Sequence, residues 1–145
     1  MAFAKSKSAG YVANHMARLF AIGLQRRIKP LGLAPAQFMT LLELWAEDGL
    51  TQAELVERID VEQATMANTL KRMERDGLIE RRPHPEDGRA RRNWLTPAAK
   101  ALQGPATDAA RAQNEAALGD LTEAERSAFL DLSGRIIRRM QANGD

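Results

Sequence analysis

One stretch, Val61 to Thr96, restricts what this chain can fold into more than any other: VEQATMANTLKRMERDGLIERRPHPEDGRARRNWLT. Wound at about 100° per residue, its first half brings Met66, Leu70 and Met73 within roughly 60° of one another, while Thr65, Asn68, Thr69 and Arg72 share a second arc about 125° away. The first face is made for packing. The second carries short hydrogen-bonding groups and an arginine, the side chains that read base edges in a major groove. Gly77 ends the helix as a C-terminal cap, and Leu78–Arg82 and Arg91–Leu95 read as two short strands joined by a turn over Pro83 to Gly88. The stretch is a helix followed by a basic hairpin.

What precedes it completes a pair of helices. Thr51-Gln52-Ala53-Glu54 is a capping box that opens a short helix to Ile59, and the Asp60-Val61 turn leads straight into the next helix, the helix-turn-helix signature. Further upstream, Ser8 or Ala9 to about Ile28 reads as a helix with Val12, Met16, Leu19 and Phe20 on one stripe. Pro35 suits the first position of another helix running to about Glu47, with Phe38, Leu41, Leu42 and Trp45 on its apolar face. Downstream, Thr96-Pro97 caps a helix that Gly104-Pro105 is expected to interrupt, because proline lacks the amide hydrogen and clashes with the preceding turn. A last helix opens at Thr122, with Glu125 completing the T-x-x-E box, and carries Phe129, Leu132, Ile136 and Met140 on one stripe.

Composition excludes several classes of function. The chain has 145 residues, the size of one domain, with 44% hydrophobic and 28% charged residues, an ordinary soluble globular balance. Cysteine is absent, which excludes disulfides, thiolate metal sites and cysteine-based peroxide sensing. Two histidines, His15 and His84, are too few for a dedicated transition-metal site, so no metal or other cofactor is expected. Nothing reads as an export signal or a membrane span, and the expected location is the cytoplasm. Net charge is only +2, but it is segregated. Residues 1–40 hold six basic side chains and no acid, residues 41–70 hold seven acids against Arg58, and residues 71–92 are basic again. The N-terminal block is either a solvated face or one half of a complementary surface in an oligomer; the arginine-rich hairpin points to a polyanion.

The run Asp76-Gly77-Leu78-Ile79-Glu80-Arg81, followed by Asp87, Arg89 and Leu95-Thr96 in the spacing D-x-R-x5-L-T, closely resembles the winged helix-turn-helix regulators of the MarR (multiple-antibiotic-resistance regulator) family. The resemblance extends back to Leu33-Ala34-Pro35-Ala36-Gln37-Phe38 and forward to Leu121-Thr122-Glu123-Ala124-Glu125, so it covers nearly the whole chain. It implies a mainly α fold with a small β wing. One MarR-type domain would span 1–145, with a DNA-binding lobe at about 34–100 and dimerisation helices at about 8–28 and 105–142. Relatives usually cap the second helix with Ser or Thr where this chain has Ala34, which should loosen that helix start by on the order of 1 kcal/mol. Where the family often has another charged residue between Asp87 and Arg89, this chain has Gly88, which frees the wing tip.

These readings give the expected site residues. Gln63, Thr65, Asn68, Thr69 and Arg72 face the major groove, with Ala64 beside them at the helix start: Arg72 donates to guanine, Asn68 pairs with adenine, and the threonines touch base edges or a thymine methyl. Lys71 points toward the backbone. By resemblance, Arg89 enters a minor groove and Asp87 braces it, an arginine there reading groove shape. Arg81, Arg82, Arg91 and Arg92 are phosphate candidates, of which strand alternation can present about half. Trp94 reads as an anchor of the wing. By resemblance, Tyr11, His15, Met39 and Trp45 line an effector crevice; their alternative role is ordinary packing.

The expected function is a homodimeric regulator, a repressor, that binds a pseudo-palindromic double-stranded DNA operator and is released by a small, aromatic effector. The alternative is a winged-helix module that docks a protein and leaves DNA alone, which the acidic residues Glu54 and Glu57 favour. Catalysis is not expected, since the chain lacks a Gly-rich phosphate loop, a nucleophile elbow, H-E-x-x-H and a Cys-His pair.

Overall fold

The structure, a computed structural model, describes residues 2–144. Seven α-helices and a three-stranded sheet follow in the order α1 (Ala9–Ile28), α2 (Pro35–Ala46), β1 (Leu50–Thr51), α3 (Gln52–Ile59), α4 (Gln63–Arg75), β2 (Ile79–Pro83), β3 (Arg91–Leu95), α5 (Pro97–Ala101), α6 (Gln103–Ala117) and α7 (Glu123–Asn143). Short 3₁₀ turns precede α1 and α2. The mainly α architecture with a small β wing is the one expected.

Local chemistry explains where the elements begin and end. Ser8 caps α1 by accepting the Tyr11 N–H. Both reciprocal bonds of the α3 box are present, Thr51 N–H to Glu54 Oε1 at 3.0 Å and Glu54 N–H to Thr51 Oγ1 at 3.2 Å. The same pair forms between Thr122 and Glu125 at α7. Gly77, at φ +74°, closes α4 in a double turn: Leu78 N–H reaches Met73 O at 2.9 Å and Gly77 N–H reaches Glu74 O at 3.1 Å, the pattern that satisfies orphan carbonyls at a helix end.

Ala34 has no side chain to cap α2, and Gln37 compensates. Its Oε1 accepts the Ala34 N–H at 3.1 Å while its Nε2 donates to Asp76 Oδ2 at 2.9 Å. The uncapped start is thereby tied to the end of α4.

Strand β1 was not legible in the sequence. It pairs antiparallel with β3, Leu50 opposite Asn93 and Thr51 opposite Arg92, giving the order β1-β3-β2. Two residues are too short for a periodic signal. Buried Asn93 fixes the arrangement, its Nδ2 donating to Leu50 O at 2.9 Å. Trp94 lies against Gly49, where a Cβ would come within 2.6 Å of the ring and φ is +78°, so this turn demands glycine. The expected interruption beyond the wing falls at Leu102, between α5 and α6, three residues before Pro105. Pro105 itself sits in the first turn of α6, where its missing amide has no intrahelical partner to lose.

The core gathers where these elements meet. Leu41 and Leu44 of α2, Leu55 of α3, Leu70 and Met73 of α4 and Ile79 of β2 are all at most 2% exposed. The chain ends are different. Only Gly23 and Ile28 of α1 are buried and no residue of α7 is, while Leu19, Ile22, Leu130, Leu132, Ile136 and Ile137 are each at least half exposed. Among the described residues no helix is long and apolar enough to cross a membrane.

Candidate nucleic-acid interface

Helix α4 divides as its sequence dictates. Met66, Leu70 and Met73 are buried, whereas Gln63, Ala64, Thr65, Asn68, Lys71, Arg72 and Arg75 are exposed. Thr69 departs from the exposed face expected of it. It is only 8% exposed and its hydroxyl donates to Thr65 O at 3.0 Å, so its one donor is spent within the helix. Adjacent to Leu70, it lies at the margin of the packed stripe, and of the expected groove residues Gln63, Thr65, Asn68 and Arg72 are the exposed ones.

The wing sorts its arginines by strand alternation. Register pairs Arg81 with Asn93, Arg82 with Arg92 and Pro83 with Arg91, and directly opposed residues share a face. Arg81 and Arg91 therefore lie on one face, Arg82 and Arg92 on the other. The first pair joins Arg89, Gln52 and Gln63 around a polar crevice of about 380 Å³ between the starts of α3 and α4 and the wing. Arg82 is occupied by Glu80 at 2.9 Å, while Arg92 makes no ion pair among the described residues, its Nη2 lying 3.4 Å from a His84 Nε2 that cannot accept from it.

None of the crevice arginines is ion-paired among the described residues. Among the described residues Lys71, Arg72, Arg81, Arg89 and Arg91 make no ion pair, while Arg58 takes Glu43 and Glu47 and Arg75 takes Asp76. Burial pulls the Arg81 pKa below its usual value, neighbouring Arg91 adds to the effect, and Glu74 opposes it. Arg81 Nε is also a buried donor without a partner. A desolvated guanidinium beside a second cation gains most from an anion that can accept its hydrogen bonds.

The wing tip is built by side chains that accept backbone hydrogens. Asp87 Oδ1 takes the backbone N–H of Arg89 at 3.0 Å, so the aspartate holds the chain under Arg89 and leaves the guanidinium projecting. His84 was not expected here. Its Nδ1 accepts the N–H groups of Glu86 and Asp87 at 3.0 and 3.2 Å, and because backbone amides only donate, the ring hydrogen sits on Nε2. A hydrogen-bonding side chain two residues ahead of a turn was the available signal. Of the two acids of α3, Glu54 is engaged in the cap its sequence predicts, which holds its pKa low.

A second cavity, about 680 Å³, opens between α1, α2 and α6 and is lined by Met16, Phe20, Phe38, Met39, Leu42, Arg111 and Phe129 among others. Of the expected effector residues only Met39 lines it. Tyr11 and His15 sit on other faces of α1, stacked edge-on against each other at 6.1 Å. Trp45 packs edge-on against Phe38 and donates its indole N–H to Ala99 O at 3.1 Å, so it is a packing residue. The wall of α1 is instead supplied by Ala13, Met16, Ala17 and Phe20, a different helical phase from Tyr11 and His15.

Comparison with known proteins accounts for this geometry. The model of the MarR family matches residues 33–90. The transcriptional regulator HosA of Escherichia coli O111:H- is 31% identical over 100 residues, covering 69% of this chain and 74% of its own. A regulator from Listeria monocytogenes solved in complex with a 26mer DNA has the same fold at TM-score 0.86, over 94% of this chain and 91% of its own, at 22% identity. Bordetella bronchiseptica BpsR, whose DNA binding is regulated by 6-hydroxynicotinic acid, shares the fold at TM-score 0.86 and 24% identity, over 94% and 97% of the two chains. With a helix pair, a basic wing and a relative matched along most of its length, the chain belongs to the MarR family of winged helix-turn-helix transcriptional regulators, a family of DNA-binding proteins and not of enzymes.

Proposed function

We propose that the protein is a homodimeric repressor that binds a pseudo-palindromic operator and leaves it when a small aromatic acid binds. The observation that carries the DNA reading is the crevice in which Gln63 of α4 meets Arg81, Arg89 and Arg91 of the wing, with no carboxylate in its lining. In this reading Gln63, Thr65, Asn68 and Arg72 enter the major groove, Lys71, Arg81 and Arg91 hold phosphates, and Arg89 reaches the minor groove on a turn fixed by Asp87. Arg92, on the opposite face of the wing, falls to the half of the arginines that alternation turns away from the phosphates.

The dimer reading rests on the apolar stripes of α1 and α7, which one chain leaves uncovered. A second copy supplies the matching surface at both ends, and a two-fold axis sets two reading heads against two half-sites. In this arrangement residues 34–100 form the DNA-binding lobe and the terminal helices the dimer lobe. The cytoplasm is the compartment in which such a regulator meets DNA.

The effector reading rests on the 680 Å³ cavity, whose size suits a small ligand and whose wall is mostly apolar, with Arg111, paired with Asp108 at 2.9 Å, as its basic side chain. It touches α1 on one side and α2 on the other, so a bound ligand can favour one spacing of the heads over another. The test is a thermal-shift series of hydroxylated aromatic acids followed by titration with the protein's own upstream DNA. One such acid should raise the melting temperature and lower operator affinity; an operator no better bound than random duplex would overturn the proposal.

A further inference from the structure

The first residues of the two helices of the helix-turn-helix motif are both glutamines, and they touch. Gln52, at the first position of α3, places its Nε2 3.1 Å from Gln63 Oε1 and 3.4 Å from Gln63 O, at the first position of α4. The backbone carbonyl only accepts, so the Gln52 group facing it is the amide nitrogen. The Gln63 group facing that nitrogen is then the side-chain oxygen. The orientation of the Gln63 amide follows: its oxygen is held on the Gln52 side with one lone pair remaining, and both hydrogens of its NH₂ are unspent. Gln63 is exposed at the mouth of the crevice that the wing arginines share.

We infer that Gln52 is a positioning residue that fixes the Gln63 amide to read an adenine in each half-site. Adenine presents an N7 acceptor beside an N6 donor in the major groove, which is the complement of an amide offering NH₂ and a free oxygen lone pair side by side. Guanine presents N7 and O6, two acceptors, so the oriented oxygen meets an acceptor and guanine is refused. In water an exposed bond between two amides contributes little, because water replaces either partner; when DNA excludes the water, the same bond holds the amide in its reading orientation. This inference rests on the DNA-binding reading above and adds the base that is recognised and a residue that does not itself read it.

The test is selection from a randomised duplex library with the full-length protein and its Gln63→Ala, Gln52→Ala and Gln52→Glu variants. The wild type is expected to enrich a two-fold site with an A·T pair that Gln63→Ala no longer distinguishes. Replacing that adenine by 7-deazaadenine should weaken wild-type binding about tenfold and leave Gln63→Ala unaffected, because a bidentate contact carries about that much discrimination. Gln52→Ala should lessen the preference at the same position and nowhere else. Gln52→Glu offers only acceptors, so it turns the Gln63 amide over and moves the preference at that position away from adenine. Preference is a ratio between bases, so general losses of affinity or stability cancel from it. No enrichment by the wild type overturns the operator reading and this one with it. An enriched site in which Gln63→Ala changes no A·T position, or in which both Gln52 variants leave that position as it was, overturns this inference alone.

Discussion

The winged-helix head, α2 through β3, and the terminal helices α1, α6 and α7 use similar amounts of apolar sequence to opposite effect. In the head, Leu41, Leu44, Leu55, Leu70 and Met73 are fully enclosed, and the ends of its elements are capped or tethered. In the terminal helices the stripes are equally regular, yet Leu130, Leu132, Ile136 and Ile137 stay at least half exposed. Periodicity thus reports that a helix has an apolar face without reporting which chain covers it. A 21-residue helix with no buried residue has little packing within its own chain, and in the proposed dimer a second copy supplies it, since tertiary packing and not propensity sustains most helices.

The sharpest way to break the comparison is to charge the uncovered face. Replacing both Leu132 and Ile136 by arginine should dissociate the dimer in sedimentation while the head keeps its helical spectrum. Operator affinity should fall about 100-fold or more through the loss of two-headed binding. A variant that remains dimeric would show that this face is not the interface. The converse change is Leu70→Ala, which opens a cavity in the head and should cost about 2 to 5 kcal/mol in urea unfolding. A cost near zero would mean the head is not the self-sufficient core described here.

Smaller effects separate backbone from packing. Gly77→Ala places a Cβ at φ +74° with nothing near it to clash, so the expected loss of roughly 1 to 2 kcal/mol is conformational alone. Acid should weaken both regions at their caps. Hydrogen bonds to Thr51 hold the Glu54 carboxyl below the usual range, Arg75 and then Gln37 do the same for Asp76, and Thr122 for Glu125. Groups with depressed folded values contribute stability that is complete above the ordinary carboxylate range and is lost as pH falls through the folded value. The urea midpoint should accordingly be level from about pH 5 to 7 and decline below about pH 4. Glu54→Gln should flatten part of that decline. A midpoint unchanged between pH 6 and 3 would contradict the assignment.

Much of this was legible because it is local. The T-x-x-E boxes at Thr51 and Thr122, the Gly77 stop and the alternation of Arg81 with Arg82 depend on residues a few positions apart. What escaped depends on distance. Strand β1 exists only against β3, some forty residues on. Gln37 finds Asp76 across the fold, and Gln52 finds Gln63 through a turn whose angle the sequence does not specify. Thr69 lies one helical position from the boundary that periodicity draws, and the resemblance that assigns Tyr11, His15 and Trp45 to a crevice does not say which side of α1 and α2 faces the cavity.

Salt dependence of binding tests the central claim most directly, because unpaired cations can neutralise phosphates only by displacing counterions. The logarithm of the association constant for the operator, plotted against the logarithm of salt concentration, should fall with a slope of about −0.9 per phosphate engaged. Arg91→Ala should make that slope shallower by about one for each head while leaving the preferred sequence unchanged. A slope near zero, or one that Arg91→Ala, Arg81→Ala and Arg89→Ala all leave untouched, would show that the crevice between α4 and the wing does not face DNA.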